Sequence, residues 1–197
     1  MAEPCTIAAV QEEVRRGIPA GILLAITLTE TAMGGRPQAY AVRVGGQGHY
    51  GASEAGALDL ARQPDGALER SANIGCMQLQ IASHARAFDP PEKIADPSLN
   101  MRHAAVLLMR AAGRERDWAR AIGSHRGGDQ AGRRAYLCKV WNHLRFLSGA
   151  SAALIDARHC GPMARPAIAL DIARLAHETR LRLLARPPPS PVPRPRQ

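Results

Sequence analysis

The sequence predicts a mainly α-helical fold, a helical catalytic domain with a small β-hairpin insert. Three observations predict it. Apolar residues recur at helical spacing through most of the chain. Clear breaks separate the helical stretches at Gly17-Ile18-Pro19, Gly34-Gly35, Asp89-Pro90-Pro91 and Gly127-Gly128. Residues 40–51 alone alternate with a period of two, around Gly45-Gly46.

Taken in order, residues 5–16 and 18–33 read as two helices. Pro19 suits a first helical turn because the N–H it lacks is one that a helix start leaves unpaired, and Gly34-Gly35 supplies a stop. The alternating hairpin follows. Residues 54–62, 78–88, 98–112, 115–123 and 130–147 then return to helical spacing. After Ser148 the pattern loosens, and residues 166–185 regain it through Ile168, Ile172, Leu175 and Leu183. Residues 187–197 are proline-rich and basic. Proline removes backbone donors and fixes φ, so this tail is expected to be extended or disordered. The chain thus divides into a domain over 1–148, a helical extension over 149–186 and a tail over 187–197, with no internal repeat.

Composition sets the outer limits. A chain of 197 residues with 46% hydrophobic content can bury one sizeable core. No apolar run reaches the roughly 18–20 residues that cross a bilayer, so no transmembrane segment is expected. A net charge of +9 implies attraction to an anionic partner, whether nucleic acid, phospholipid or an acidic cell wall. Aromatic residues make up only 4% and no zinc-finger spacing or aromatic nucleoprotein motif occurs, so nucleic acid is not expected. Cys5, Cys76, Cys138 and Cys160 permit three full pairings and include no Cys-x-x-Cys, which argues against a metal site.

One carboxylate stands out. Leu23, Ile26 and Glu30 are spaced i, i+3, i+7, which puts an acid on an apolar helical face near a helix C-terminus. An ionised carboxylate is costly there unless paired, and the helix dipole adds to the cost. A carboxyl held protonated near neutral pH is what a general acid for glycosidic cleavage requires. Downstream, Gly75-Cys76-Met77-Gln78 offers a tight turn, a pliable apolar surface and an amide with both donors and an acceptor for a sugar.

Glu30-Thr31, Gly75-Cys76-Met77-Gln78-Leu79, His84, Phe88, Asp96-Pro97-Ser98-Leu99-Asn100, Ala104-Ala105, Trp118-Ala119-Arg120-Ala121-Ile122, Tyr136 and Val140 follow one another in an order that resembles the soluble, goose-lysozyme-like lytic transglycosylases. The resemblance covers about residues 5–145. Residues 39–48 also look like the short insert of the branch linked to flagellar and secretion machinery. The usual signatures of the family are Glu-Ser, Gly-Leu-Met-Gln and a later loop with a tyrosine. Thr31 stands where the family usually has serine and keeps a hydroxyl beside the acid. His125, in Gly123-Ser124-His125-Arg126-Gly127, stands where the loop usually carries tyrosine. A charged imidazolium there would work against a protonated acid.

The resemblance implies an α+β lysozyme-like fold and cleavage of peptidoglycan between N-acetylmuramic acid and N-acetylglucosamine, with Glu30 as the catalytic acid. It also implies substrate contacts from Thr31, Gly75, Met77, Gln78, Ser124, His125 and Tyr136, and neither metal nor cofactor. The product would carry a 1,6-anhydro end, formed for local wall remodelling during flagellar or secretion-system assembly, whose components would meet the C-terminal region. The location implied is periplasmic, with an export signal already removed. In that oxidising compartment Cys5 would pair with Cys76 and Cys138 with Cys160, each tying a flanking segment to the core, while four buried free thiols remain the alternative. Two other functions stay open. A hydrolytic muramidase of the same fold would use water and draw a second acid from Glu54, Asp59 or Glu69. A catalytically degenerate protein would bind the wall without cutting it.

Overall fold

A computed structural model of the chain describes residues 3–185, and the proline-rich tail lies outside the described residues. The architecture is mainly α with a small antiparallel sheet. The helices are α1 (Pro4–Arg16), α2 (Ile22–Thr31), α3 (Glu54–Leu60), α4 (Ile81–His84), α5 (Pro97–Glu115), α6 (Trp118–Arg126), α7 (Gln130–Leu147), α8 (Gly149–Ala152) and α9 (Leu170–Leu184). The strands are β1 (Ala41–Val44), β2 (Gln47–Tyr50), β3 (Asn73–Ile74) and β4 (Leu79–Gln80). No described helix is long and apolar enough to cross a membrane.

At the centre lies α2. Ile22, Leu23, Leu24, Ala25, Ile26, Thr27 and Leu28 are all buried, so the helix is enclosed on every side rather than along one stripe. It packs against α1 and α7. It does not begin at residue 18 as the sequence predicts, and Pro19 lies in the turn before it. Gly17 and Gly21 both take left-handed φ, at 66° and 84°, so the chain makes a tight corner before the helix starts. The free amides of the first turn find their acceptor on another element. The Glu13 carboxylate of α1 accepts N–H groups from Gly21 at 2.9 Å, Leu23 at 3.0 Å and Leu24 at 3.4 Å. Arg180 of α9 donates to the same carboxylate. Burial pushes the Glu13 carboxyl above the ordinary carboxylate range, and the Gly21 amide, Arg180 and the Leu24 amide pull it back down. At the other end α2 stops at Thr31, two residues early, because Met33 and Arg36 exchange backbone hydrogen bonds around Gly34-Gly35.

The hairpin forms where period two predicts it. Ala41 faces Tyr50 and Val44 faces Gln47, and Gly45 and Gly46 make the two-residue turn at φ of 57° and 82°. It is half of a larger sheet. β3 pairs with β1 and β4 with β3, giving the order β2-β1-β3-β4. Residues 78–88 are therefore not the single helix their composition predicts. Gln78 sits at φ 46°, which a helix does not accept, and its side-chain amide donates to the carbonyls of Ala41 and Gly75.

The C-terminal segment packs on the rest of the chain. Ile172 is fully buried, Ala169 donates its N–H to the Gly35 carbonyl at 3.1 Å, and Arg36 pairs with Asp171 at 2.8 Å. Two disulfides join distant segments. Cys5–Cys76 links α1 to the turn between β3 and β4, and Cys138–Cys160 links α7 to the segment leading towards α9. In the chain-entropy picture the longer loop of Cys5–Cys76 contributes roughly 4.4 kcal/mol and that of Cys138–Cys160 roughly 3.4 kcal/mol by restricting the unfolded state.

Glu13 carries the strongest stability prediction. Glu13→Ala leaves three amides without their acceptor and Arg180 without its partner, so the unfolding free energy in urea is expected to fall by about 3–5 kcal/mol. A loss below about 1 kcal/mol would show that water or another acceptor replaces the carboxylate.

Candidate active site

Glu30 stands in the last turn of α2, where the helix emerges from the core into an open cleft of about 720 Å³. Its side chain keeps 20% of its surface exposed, while Leu23 and Ile26 on the same face are sealed. The acid is thus at the rim of the apolar face. The cleft is walled by the β3–β4 ribbon, by α5 and by α6 with the glycine turn that follows it. Glu30 is the only carboxylate among its described lining residues. Glu54, Asp59 and Glu69 do not line it: Glu54 faces Lys93 at 4.0 Å, Asp59 is exposed, and Glu69 is bound into its own turn by Ser71 and Gln63.

The partner of Glu30 comes from α7. Tyr136 is 5% exposed and its hydroxyl donates to Glu30 Oε1 at 2.7 Å. Burial and the adjacent Glu30 carboxylate hold that hydroxyl well above the usual tyrosine range, so it stays a donor at any ordinary pH. His125 of α6 lies one step further back. Its Nε2 is 3.9 Å from Glu30 Oε1, and its ring stacks on Tyr136 with centroids 6.1 Å apart. Burial keeps the imidazole below the ordinary histidine range, against the pull of Glu30 and of the Met77 carbonyl. The neutral ring is therefore the resting form. The hydrogen bond to Glu30 is made by Tyr136 and not by His125.

The Gly75–Gln78 turn is held from beneath. Asn100, fully buried on α5, accepts the Met77 N–H at 3.0 Å and donates to the carbonyls of Ile74 and Ile94 at 3.1 and 2.8 Å. A Cβ on Gly75 would fall 2.5 Å from Asn100 Nδ2, so glycine is required by this close approach as well as by its φ of 81°. Thr27 braces the turn from α2, its hydroxyl 3.2 Å from the Met77 sulfur.

Among the expected site residues, Glu30, Met77, Gln78, Ser124 and His125 line the cleft together. Both amide hydrogens of Gln78 are spent on backbone carbonyls, so it faces the cleft with its oxygen only. Ser124 donates its hydroxyl to the Ala121 carbonyl. Thr31, Gly75 and Tyr136 are not in the lining. The Thr31 hydroxyl is buried, donating to the Thr27 carbonyl and accepting the Gln38 N–H. His84 lines the cleft and pairs with His103 at 3.2 Å between ring nitrogens.

What the sequence reading missed is the charge on the walls. Arg43, Arg110, Arg114 and Arg126 all line the cleft, and none has a carboxylate within 4 Å among the described residues. The i, i+4 spacing of Arg110 and Arg114 on one helix was the available signal. The cleft thus combines a single acid with four guanidinium groups that have no carboxylate partner among the described residues, a lining suited to an anionic ligand. Comparison with protein-family models, with curated proteins and with solved structures finds no match for the chain.

The partly buried histidines set a pH dependence. Burial is the largest cause lowering His84, His103, His125 and His143, so the unfolded chain takes up these protons more readily than the folded one. Their contribution is complete above the unfolded value of about 6.5 and is lost as pH falls through the folded values. Unfolding free energies measured in urea from pH 7.5 to 5 are expected to decline below about pH 6.5. A flat profile across that window would contradict the neutral state of these partly buried rings.

Proposed function

We propose that the chain is a peptidoglycan lytic transglycosylase that cleaves the β-1,4 bond between N-acetylmuramic acid and N-acetylglucosamine. The observation that carries this reading is the lone cleft carboxylate of Glu30, fixed at one oxygen by Tyr136. The motif order in the sequence supports the same reaction. So do the unpaired arginines of the walls, because the peptides attached to muramic acid bring carboxylates to the cleft.

In the proposed reaction Glu30 protonates the glycosidic oxygen, and Tyr136 at Oε1 leaves Oε2 to face the substrate. The acetamido oxygen of the substrate stabilises the anomeric carbon as the leaving sugar departs. Glu30, now anionic, takes the proton of the C6 hydroxyl of the same sugar. That oxygen closes onto the anomeric carbon and gives the 1,6-anhydro end. One carboxyl therefore serves as acid and then as base. The absence of a second carboxylate from the described lining favours this course over an inverting hydrolysis, which needs a second acid about 6.5–9.5 Å away to activate water. Burial disfavours the charged form of His125, so at neutral pH no imidazolium stands beside Glu30. For the biological role we adopt local opening of the wall during flagellar or secretion-system assembly, on the strength of the insert at residues 39–48.

Digestion of purified peptidoglycan followed by mass spectrometry of the products tests the reading. Wild-type protein is expected to release anhydro ends, and Glu30→Gln to lose roughly 10²–10⁴-fold in rate. New reducing ends would identify a muramidase. Binding without any cleavage would identify a wall-binding protein, and full activity in Glu30→Gln would remove Glu30 from the mechanism.

Tyr136→Phe gives a second, separate measurement. It deletes one hydrogen bond to a charged group, of about 1.5–3 kcal/mol, so the cleavage rate is expected to fall roughly 10–100-fold while the fold persists. An unchanged rate would mean that the tyrosine only packs.

A further inference from the structure

A second cavity of about 440 Å³ lies beside the cleft, and the two share Leu107 and Arg110 of α5. Leu99, His103, Leu107, Arg110 and Arg114 follow one another at i+3 or i+4, so one face of α5 passes beneath both spaces. From Leu99 to Arg114 that face runs about 22 Å at 1.5 Å per residue. The part beneath the second cavity, Leu99 to Arg110, is about 16 Å, the length of about five residues of extended peptide.

The chemistry of the second cavity differs from that of the cleft. Phe88, Leu99 and Val106 give it an apolar floor, and Lys93, Arg102 and Arg110 give it a cationic rim with Asp89 as its one acid. Arg110 has no carboxylate within 4 Å among the described residues. Arg102 meets Glu12 only at 3.8 Å and Lys93 meets Glu54 only at 4.0 Å, and both basic side chains remain about half exposed. The Lys93–Glu54 pair is an exposed one and binds weakly, while the buried Glu12 is already held by Arg16 at 2.7 Å, so both cations stay available to a ligand.

We propose that this cavity binds the short acidic peptide carried by the glycan strand, with peptide carboxylates against Arg102 and Arg110 and apolar side chains on Phe88, Leu99 and Val106. The proposal rests on the reading of the cleft as a glycan site. Arg110 belongs to both spaces, so it stands where a peptide would branch from a sugar. The second cavity then makes strands bearing free peptide carboxylates the preferred substrate over strands whose peptides are amidated or removed.

The test is an NMR titration of the full chain with a synthetic Ala-Glu-Lys-Ala peptide and with the same peptide amidated at both carboxyl groups. Backbone amides of Phe88, Leu99 and Leu107 are expected to shift and saturate with the acidic peptide. The amidated peptide is expected to bind at least tenfold more weakly, and Arg110→Ala, at an exposed position, to weaken the acidic peptide about tenfold. Equal binding of the two peptides, shifts confined to another surface, or indifference to Arg110→Ala would overturn the proposal. Because no bond is cut in this titration, its failure is separable from a failure to find anhydro ends. Peptide binding to a chain that yields no such ends would count against the transglycosylase alone.

Discussion

The structure turns on one buried carboxylate that lies outside the cleft. Glu13 terminates the free amides at the start of α2, while Arg180 holds it from the C-terminal helix, so three helices meet at a single buried charge. A buried ion pair is weak as a source of net stability but strong as a constraint, because every alternative arrangement leaves a charge or an amide unmet. Here the constraint is on position. With its first turn fixed by Glu13 and its sides sealed by the core, α2 delivers Glu30 to the cleft at a set depth and rotation.

The remaining supports of the cleft follow the same logic. Groups that line the cleft are secured from behind by groups from other elements. Tyr136 of α7 holds Glu30, Asn100 of α5 holds the Gly75–Gln78 turn, and Met77 rests against Thr27 of α2. His125 adds an electrostatic layer. Its ring is close enough to feel the Glu30 carboxylate and too buried to carry charge readily, so a loss of burial at α6 would be felt as charge beside the acid.

How much of this was legible in the sequence depended on where each determinant lies. α1, α7 and the hairpin are written locally, in helical periodicity or in Gly45-Gly46, and they form at or within a residue of the predicted places. The start of α2 is written elsewhere, because its cap is eight residues upstream on another helix. Residues 78–88 look helical in composition, but the left-handed backbone at Gln78 and pairing with β3 override that propensity. At the site, Glu30 was visible from its spacing on an apolar face. Its bond to Tyr136 spans 106 residues, and no local pattern marks it. Of the arginines of the walls, Arg110 and Arg114 are marked by i, i+4 spacing, whereas Arg43 and Arg126 were visible only as an excess of charge until the fold gathered them.

The Cys5–Cys76 bond has a topological effect beyond stability. It closes a covalent ring that contains α2, Glu30, the hairpin and the whole segment up to the β3–β4 turn. A single proteolytic cut within that ring, at the exposed Gly45-Gly46 turn or among the exposed residues 63–66, opens the loop without releasing either end. The acid and the turn that faces it would stay on one molecule after such a nick. That arrangement makes a broken backbone a local defect rather than the loss of half the site.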